Sequence, residues 1–420
     1  MKILHINQSD IAGGAAIAGY RLHQELLSQG VDSKLLVGNA KTQDERVATV
    51  PRKPRLEKNL ERLTFRLSLH YVHLLATFDL TSHPFFKEAD VLHFHNLHHN
   101  YFNYLALAKL TAQKPAIYTL HDMWSFTGHC AYSFDCQRWQ SGCGSCPYPD
   151  TYPAIWRDNT HWEWKLKNWV YQRSNLTIVT PSRWLADLAQ QSMLSRFPIH
   201  HIPNGIDTQA YQPLDQRECR SILGITNYKY VLMVGADNVR DYRKGGDLLI
   251  KSLQLLPESL KTGCLLLILG NGGEFLSQSV GIPSLNLGYV SNDRLKSIAY
   301  SAADLFLLPT RSDNLPIVLQ ESMACGIPMV SYDVGGVSDL VRPRITGYLA
   351  KAENVEDFTK GIVELLENKQ LWQKIAHTCR NIAITEYSLG LQAQNYQKIY
   401  QQALLLQDRD GNLVPTIDDS

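Results

Sequence analysis

The sequence predicts an α/β protein with two Rossmann-like, doubly wound domains. Short apolar runs alternate with helix-length segments in both halves of the chain, a pattern typical of parallel sheets covered by helices on both faces. The alternation restarts after residues 203–213, a stretch with two prolines and one glycine that is typical of a linker. The 420 residues also suffice for at least two domains of ordinary size.

Composition and charge exclude several other classes. Apolar residues make up 44% of the chain and charged residues 19%, which is ordinary for a globular protein and excludes a disordered or fibrous one. The formal net charge is +1, so no nucleic-acid partner is expected. No apolar run reaches the roughly 18 residues of a spanning helix. Polar residues interrupt the first apolar run too early for a signal peptide, so we expect a cytoplasmic protein.

The first domain is expected to span residues 1–205. A strand at Lys2–Ile6 leads through a glycine turn into a helix at Ala15–Ser28. Buried apolar runs predict further strands at Lys34–Val37, Asp90–Phe94, Ala116–Leu120, Leu176–Thr180 and His200–Ile202.

The second domain is expected to span residues 206–385. Its apolar runs predict strands at Tyr230–Val234, Leu265–Leu269, Leu285–Leu287, Asp304–Leu308 and Met329–Ser331. Helical periodicity predicts helices at Gly246–Leu255, Asp293–Ser301, Leu319–Ala324 and Val355–Leu366. A last helix over residues 386–405 is expected to return to the first domain, and residues 406–420 are expected to form a flexible tail.

The turn after the first strand carries Gly13 and Gly14. Glycines there let the backbone approach a ligand closely, and the amides that begin the helix attract an anion. A tight turn that binds nothing is the alternative. The G-x-G-x-x-G spacing of a dinucleotide site is absent, and no well-placed acidic residue ends the second strand, so an NAD-dependent enzyme is not expected.

Two segments of the second domain combine charge with a strand-end turn. Arg243 and Lys244 come just before the start of a helix, where cations oppose the helix dipole unless an anion lies between them. Asp313 and Glu321 flank the turn after another predicted strand. Because ligands bind outside the carboxyl ends of strands in open sheets, these residues predict a nucleotide site. An exposed basic turn is the alternative for Arg243 and Lys244.

The order of these motifs resembles the retaining glycosyltransferases of family four, which have the GT-B fold. The resemblance covers nearly the whole chain and is most specific over residues 200–350. Its motifs are Asn204-Gly-Ile-Asp207, Lys244-Gly245, Leu269-Gly-Asn-Gly272, Gly288-Tyr-Val290, Asp313-x7-Glu321, Gly335-Gly-Val337 and, in the first half, Thr119-Leu-His-Asp122. Residues 124–129 and the cysteine loop that follows are more similar to the colanic-acid and capsule branch of the family.

The resemblance implies an activity and a set of partners. Two domains would face each other across a cleft and move a sugar from a nucleotide-sugar, a UDP- or GDP-sugar, to a glycan or lipid-linked acceptor. The transfer would retain configuration, need no metal for catalysis and belong to polysaccharide biosynthesis. The alternatives are an inactive nucleotide-sugar-binding partner subunit, and an epimerase or phosphorylase of the same fold.

The resemblance also assigns roles to residues. Lys244 and an arginine would neutralise the leaving phosphate together with backbone amides, Glu321 would hold the ribose, and Asp313 and His121 would contact the donor sugar. The catalytic set is therefore His121, Lys244, Asp313 and Glu321, and the donor-binding set is Gly13, Gly14, Arg240, Arg243, Val290, Leu315, Pro316, Ile317 and Glu321. A positioning role is the alternative for His121.

Two residues depart from the family pattern. Asp313 stands where the family has Glu, which keeps the charge but shortens the side chain by one methylene. Ala236 stands where the family has a phosphate-binding Arg, so Arg240 or Arg243 is the candidate substitute.

Histidines and cysteines crowd two other segments of the first domain. His93, His95, His98 and His99 fall within seven residues and could ligate a metal, although a polar rim is the commoner use of such residues. Cys130, Cys136, Cys143 and Cys146 have a spacing typical of a structural zinc site. An iron–sulfur cluster, free thiols and disulfides are the alternatives.

Residues 51–78 are basic at first and then apolar. Six Lys or Arg and two Glu occur between residues 51 and 66, and Leu56, Leu60, Leu63 and Leu67 recur at helical spacing. Such a helix binds an anionic membrane surface or packs as an ordinary surface helix. A peripheral location on the inner face of the plasma membrane would suit a lipid-linked acceptor. Four tryptophans at 156–169 could stack on sugar rings or fill a core.

Overall fold

A computed structural model describes residues 1–411, with side chains described as far as residue 406. The chain divides into two compact units, residues 1–203 together with the segment that starts at Gln392, and residues 204–391. The expected tail at 406–420 begins inside a helix that continues to Gly411, and its residues 412–420 lie outside the described part of the chain.

The first unit contains a parallel sheet of seven strands. They are β1 Lys2–Ser9, β2 Asp32–Asn39, β3 Val47–Thr49, β4 Val91–Phe94, β5 Ala116–Thr119, β6 Thr177–Thr180 and β7 Ile199–His201. The strand order is β3-β2-β1-β4-β5-β6-β7, so the order reverses between β1 and β4. His5 of β1 lies opposite His93 of β4 in the register.

Helices cover both faces of this sheet. They are α1 Gly14–Ser28, α2 Pro54–Arg66, α3 Pro84–Glu88, α4 Leu107–Thr111, α5 Thr160–Tyr171, α6 Arg183–Gln190 and, from the end of the chain, α16 Leu389–Gly411. Successive strand residues point to opposite faces and join two separate cores, as Ile3 and Leu4 do.

Helix α16 completes one of the two cores. Its Tyr396 and Tyr400 are fully buried beside Ile3, Val91 and Ile117 of the sheet. Toward the carboxyl ends of the strands this same face becomes polar. There the tyrosine hydroxyls bond to side chains of the first unit: Tyr400 to His93 at 2.7 Å and Tyr396 to Thr119 at 2.8 Å.

The second unit contains a parallel sheet of six strands. They are β8 Tyr230–Asn238, β9 Cys264–Asn271, β10 Ser284–Asn286, β11 Leu305–Leu308, β12 Met329–Tyr332 and β13 Gly347–Ala350. The order is β10-β9-β8-β11-β12-β13, which reverses between β8 and β11. The helices are α7 Gln216–Ile222, α8 Gly246–Gln254, α9 Glu258–Lys261, α10 Gly273–Ser279, α11 Asp293–Ala302, α12 Ile317–Ala324, α13 Val337–Leu340, α14 Val355–Glu367 and α15 Lys369–Glu386.

The predicted class of two Rossmann-like domains with parallel sheets is confirmed. The sequence analysis did not place the edge strands β3 and β13, helix α15, or several shorter helices such as α7 and α10. Strand β13 begins at Gly347, where a Cβ atom would lie 1.9 Å from the carbonyl oxygen of Met329. The close pairing with β12 therefore requires a glycine, which is a poor strand former and hid this strand from propensity reasoning.

Within residues 1–411, every helix is too short or too polar to cross a bilayer. Helix α2 lies on the surface of the first unit, and Glu57 is its only buried residue. Its apolar side chains are exposed instead of packed: Leu56 and Leu63 are each 58% exposed and Phe65 is 66% exposed.

Candidate functional site

The carboxyl ends of β8 and β11 form a concave region in the second unit, at the point where the strand order reverses. It is lined by Gly235, Ala236, Lys244, Leu308 and Pro309, among others. This is where open α/β sheets bind ligands, because neighbouring loops there turn in opposite directions. Lys244 is the charged side chain of the lining.

Lys244 and Arg243 share one carboxylate. Lys244 Nζ lies 2.6 Å from Oδ2 of Asp313, and Arg243 Nη1 lies 3.2 Å from the same oxygen. Burial opposes ionisation of Asp313, but the two cations outweigh it and lower the pKa of this carboxyl. Burial and the neighbouring Arg243 lower the pKa of Lys244, and Asp313 partly offsets that effect. The structure thus brings together three of the predicted residues.

Backbone contacts hold this group in place. At Gly245, whose φ is 69°, a Cβ atom would lie 1.9 Å from the carbonyl oxygen of Pro309. At Gly335, whose φ is 57°, a Cβ atom would lie 2.1 Å from the carbonyl oxygen of Asp313. Because only glycine permits such approaches, the loops after β8 and β12 both close directly onto the loop after β11.

Arg311 is a residue of this site that the sequence reasoning missed. Its guanidinium donates to both oxygens of Asp247 at 2.8 and 2.7 Å, and its Nε lies 3.1 Å from Glu353. Its guanidinium carbon also lies over the ring of Tyr242, 3.9 Å from the ring centroid. Arg311 therefore ties the β11–α12 loop to helix α8. The sequence feature that could have identified Arg311 is its position two residues before Asp313.

Glu321 lies on α12 in a buried polar group. Its Oε1 accepts from the hydroxyl of Tyr211 at 2.8 Å and from Lys296 Nζ at 2.9 Å, and its Oε2 accepts from Tyr300 at 3.0 Å. Asp293 lies 3.0 Å from the same Lys296. These partners were not predicted, since they come from segments about 20 and 110 residues away in sequence.

The remaining predicted donor residues occupy different places. Leu315 and Pro316 lead into Ile317, the first residue of α12, beside Asp313. Arg240 is exposed and lies over the ring of Phe275, 5.9 Å from its centroid. Val290 packs against the core of the second unit. Of the two candidate arginines, Arg243 is the one that reaches Asp313.

In the first unit, the glycine turn lies at the exposed start of α1. Gly13 has a φ of 88° and precedes the helix. Asp10 anchors the turn, because its carboxylate accepts from the backbone amides of Ile11, Lys41 and Thr42 at 2.7–2.9 Å. Burial opposes these bonds, yet they lower the pKa of Asp10 to about 2. Hydrogen bonds to residues just beyond β2 therefore hold the turn that carries Gly13 and Gly14.

His121, two residues beyond β5, joins a row of histidines. Its Nε2 lies 3.1 Å from Nδ1 of His95, and Nε2 of His95 lies 3.0 Å from Nδ1 of His5. His93 stacks beside this row but uses both nitrogens elsewhere, on Tyr400 and on Thr119, each at 2.7 Å. Sequence reasoning missed His5, which precedes the others by almost 90 residues.

The four predicted histidines between residues 93 and 99 do not form one site. His98 bonds to Asp122 at 2.8 Å, and His99 bonds to Tyr152 at 2.7 Å, whereas His95 belongs to the row and His93 lies beside it. Burial opposes ionisation of Asp122, but His98 and its other hydrogen bonds lower its pKa. His5, His93 and His95 have ligand atoms within 4.8 Å of one another, but their nitrogens are largely occupied by hydrogen bonds.

The four cysteines are all free thiols. Among the described residues, three or more candidate ligand atoms come within 4.8 Å of one another only at His5, His93 and His95, not among these thiols. Cys143 accepts a bond from the amide of Gly128 at 3.2 Å, and Cys146 lies 3.1 Å from Nε2 of His129. The described geometry thus contains no preassembled tetrahedral site, and the zinc assignment stays a prediction.

Comparison with known proteins identifies relatives of both units. The family described as "Glycosyl transferases group 1" matches residues 215–383, and "Glycosyltransferase Family 4" matches residues 12–210, so that the two together span most of the chain. WcaC of Escherichia coli (strain K12), provisionally described as a colanic acid biosynthesis glycosyl transferase, is 28% identical over 353 residues, 79% of this chain and 83% of its own.

Solved structures share the fold. Sucrose-phosphate synthase from Thermosynechococcus elongatus superposes with a TM-score of 0.70 at 15% identity, over 97% of this chain and 100% of its own. Anabaena HepE in complex with UDP-glucose superposes with a TM-score of 0.66 at 18% identity, over 96% and 100% of the two chains.

Proposed function

Because the chain belongs to the group 1 and family 4 glycosyltransferases, we propose that it transfers a sugar from a nucleotide-sugar to a glycan or lipid-linked acceptor, with retention of configuration. The observation that carries this proposal is the pair of cations, Arg243 and Lys244, on Asp313 beside the concave region of the second unit. HepE binds UDP-glucose, which makes UDP-sugars the first donors to test. The likeness to WcaC supports a role in polysaccharide biosynthesis.

The proposed chemistry follows from charge. Breaking the bond between a sugar and a diphosphate places negative charge on the leaving phosphate. Arg243, Lys244 and Asp313 together carry one net positive charge, and the backbone N–H groups of Leu315 and Ile317 at the start of α12 add partial positive charge beside them. Fixed charges in a partly buried site stabilise developing charge strongly, because they need no reorganisation. We propose that these groups replace a catalytic metal.

The carboxylates are proposed to bind the rest of the donor. Asp313 is ionised and rigidly held, so it can stabilise positive charge on the sugar ring. Glu321 would accept from the ribose hydroxyls. A carboxylate offers about four acceptor positions, so a ribose would share Glu321 with its present donors, Lys296 and the tyrosines, or displace one of them.

For the first unit we propose that His121 contacts the donor sugar and that the amides of Gly13 and Gly14 contact the leaving phosphate. The support is local: His121 follows the carboxyl end of β5, and the turn of Gly13 begins α1 at an exposed position. These are the strand ends at which ligands bind in sheets of this kind.

We also propose that the first unit docks on an anionic membrane. Helix α2 exposes Leu56, Leu63 and Phe65, and it carries four basic residues among its thirteen. Trp156 and Trp162 are also exposed, and the backbone amide of Arg157 between them donates to the hydroxyl of Ser68, just beyond α2. Exposed apolar groups rimmed by cations are the pattern of an interfacial helix. Such docking would place the enzyme beside a lipid-linked acceptor at the inner face of the plasma membrane.

The test uses the purified full chain. UDP- and GDP-sugars are first screened for thermal stabilisation, since a ligand that binds the folded state raises the melting temperature. Donors that stabilise are then assayed for nucleotide release with and without glycan and lipid-linked acceptors. Acceptor-dependent release, with a product of the donor's anomeric configuration, is expected. Binding without release would instead identify a partner subunit, and release or interconversion without acceptor an epimerase or phosphorylase.

A further inference from the structure

Four side chains in the loops after β4 and β5 form a continuous series of hydrogen bonds that the proposed chemistry does not use. Asp122 Oδ2 lies 2.8 Å from Nε2 of His98, and Nδ1 of His98 lies 3.1 Å from the hydroxyl of Tyr152. The same hydroxyl lies 2.7 Å from Nδ1 of His99. These four residues, here called the Tyr152 cluster, lead from a buried carboxylate to an exposed imidazole.

The topology of the first unit brings the cluster together. His98 and His99 follow β4, and Asp122 follows β5, its neighbour in the sheet. Tyr152 comes from the long segment between β5 and α5 that also holds the four cysteines, and its carbonyl accepts from the amide of Ala131 at 2.9 Å. The cysteine segment thus presents Tyr152 at the carboxyl ends of central strands, which is where sheets of this kind bind ligands.

The outer part of the cluster is an aromatic surface. Tyr152 is 49% exposed, and the centroid of its ring lies 5.1 Å from that of His99, with an interplanar angle of 36°. His98 is buried, with its ring 4.5 Å from that of His99 and 5.5 Å from that of the buried Trp124. An exposed aromatic ring beside fixed polar groups suits a sugar, because the C–H faces of a sugar pack on a ring while its hydroxyls need directional partners.

The loop that carries His99 has a strained backbone. His99 has a φ of 77° and Asn100 a φ of 57°, a conformation that is uncommon for residues other than glycine. Hydrogen bonds hold the loop there, since Arg52 Nη1 donates to the carbonyl of Asn100 at 3.1 Å and the hydroxyl of Tyr101 donates to the carbonyl of Asn96 at 2.6 Å. Such strain persists only where the surroundings enforce it, and it concentrates at functional sites.

The charges of the cluster favour an uncharged ligand. Partial withdrawal from water and the neighbouring His98 lower the pKa of His99 to about 4, so this ring is neutral at pH 7. The cluster holds the carboxylate of Asp122 and neither lysine nor arginine, so it is unsuited to a phosphate. A sugar hydroxyl both donates and accepts, so it can pair with Nε2 of His99 in either tautomer.

We propose that the Tyr152 cluster is an acceptor subsite, in which an uncharged sugar of the acceptor packs on the ring of Tyr152 and bonds to Nε2 of His99. His98 and Asp122 are positioning residues, because they act on the sugar only through Tyr152. The role of the subsite rests on the proposed function: the diphosphate of the donor needs cations that the cluster lacks, which leaves the acceptor. Arg52 comes just before α2, so the subsite adjoins the helix proposed to dock on the membrane.

Steady-state kinetics of the full chain tests the subsite, with the donor and acceptor selected by the transferase screen. Tyr152→Leu and His99→Asn should each raise the KM for the acceptor about tenfold, the effect of one lost contact of this kind. Asparagine is chosen because it tolerates the left-handed backbone at this position. The KM for the donor and kcat should stay close to those of the wild type. His200→Asn, which alters a partly exposed histidine of β7, is the control and should change none of these values.

Substitution of His98 tests the positioning role. His98→Leu interrupts the series between Asp122 and Tyr152 and should raise the KM for the acceptor severalfold. His98→Gln, whose amide can donate to Asp122 and accept from Tyr152, should restore most of the lost affinity, which a purely structural role does not predict. If His98→Leu fails to fold by circular dichroism, Tyr152→Phe interrupts the series on the surface and should have the same effect, smaller than that of Tyr152→Leu.

A binding experiment without donor separates the subsite from the proposed function. Protein with ¹⁵N-labelled histidine is titrated with methyl glycosides of glucose, galactose and mannose, and His99→Asn assigns the His99 signal. A shift of this signal that Tyr152→Leu abolishes is expected. In an active transferase, an unchanged KM for the acceptor in both Tyr152→Leu and His99→Asn would overturn the subsite and leave the proposed function standing. The expected shift in a protein without transferase activity would support the subsite and contradict the proposed function.

Discussion

Lys244 and Asp313 form a largely buried ion pair of 2.6 Å in the second unit, and Arg243 joins it from the same turn. The side chain of Asp313 is only 10% exposed and that of Lys244 17%. Removing either partner of such a pair leaves the other charge poorly solvated, so each substitution tests both stability and chemistry.

Substitution of Lys244 should separate these two effects. Lys244→Ala should lower kcat about a hundredfold, because a cation that stabilises the leaving group is lost, whereas Lys244→Arg should lower it less. Steady-state kinetics with a saturating donor measures this. Lys229→Ala, which removes an exposed lysine of the same unit, is the control. Near-normal turnover in Lys244→Ala would show that Arg243 alone supplies the charge.

Substitution of Glu321 should weaken donor binding and also destabilise the fold. Glu321→Ala removes the partner of Lys296, a cost of about 3–5 kcal/mol for a buried pair, although Asp293 reduces it. The double variant Glu321→Gln with Lys296→Met should recover most of the stability but not the donor affinity. Calorimetry and thermal melting distinguish the two. Donor affinity equal to that of the wild type in the double variant would contradict the ribose assignment.

Stability should fall as the pH is lowered from 7 to 4. Burial lowers the pKa of His23 to about 4, so between pH 6.5 and 4 the unfolded chain binds a proton there and the folded chain does not. The free energy of unfolding then decreases over this window by about 3 kcal/mol for this residue. His23→Asn should flatten the acid limb of a melting-temperature profile, and Gln24→Ala, which alters the exposed neighbour and removes no titratable group, should not. Parallel profiles for all three proteins would contradict the assignment.

The cysteine loop should bind about one zinc per chain if the four thiols close around a metal. The described structure keeps the thiols apart, so binding would have to draw them together. Elemental analysis of anaerobically purified protein decides this. Cys143→Ser should abolish the metal and lower the melting temperature, whereas Cys264→Ser in the second unit should keep the metal. If the protein contains neither zinc nor iron and its four thiols can be titrated, the zinc prediction is wrong.

Vesicle sedimentation tests the membrane proposal. The protein should bind vesicles that contain anionic phospholipid and be released at about 0.5 M salt, since screening then acts within a few ångströms. Replacing Leu56 and Leu63 by Ser, or Arg52 and Arg55 by Glu, should each reduce binding severalfold. Equal sedimentation of all variants would show that α2 is an ordinary surface helix.

Sequence periodicity was sufficient for the central strands, because those strands are buried on both faces and read as continuous apolar runs. It also placed Asp313 and Lys244 just after such strands, and the structure brings these two side chains together, while their part in a donor site stays a prediction. It could not predict Lys296 or His5 as site residues. Lys296 has no sequence feature that distinguishes it from other lysines of amphipathic helices. His5 can be linked to the other histidines only through the strand register, which places it opposite His93. Long-range pairing is not encoded in any local pattern.

The order in which the chain is synthesised has a consequence for the first unit. Its interior is finished by Tyr396 and Tyr400, which leave the ribosome after the whole second unit has been made. Until then His93 and Thr119 lack those hydroxyl partners, and the apolar side chains around Ile3 and Val91 remain uncovered. The first unit therefore cannot complete its core until α16 has been synthesised. A gene fragment ending at residue 203 should accordingly yield insoluble protein. Joining the segment of α16 to that fragment through a flexible linker should make it soluble.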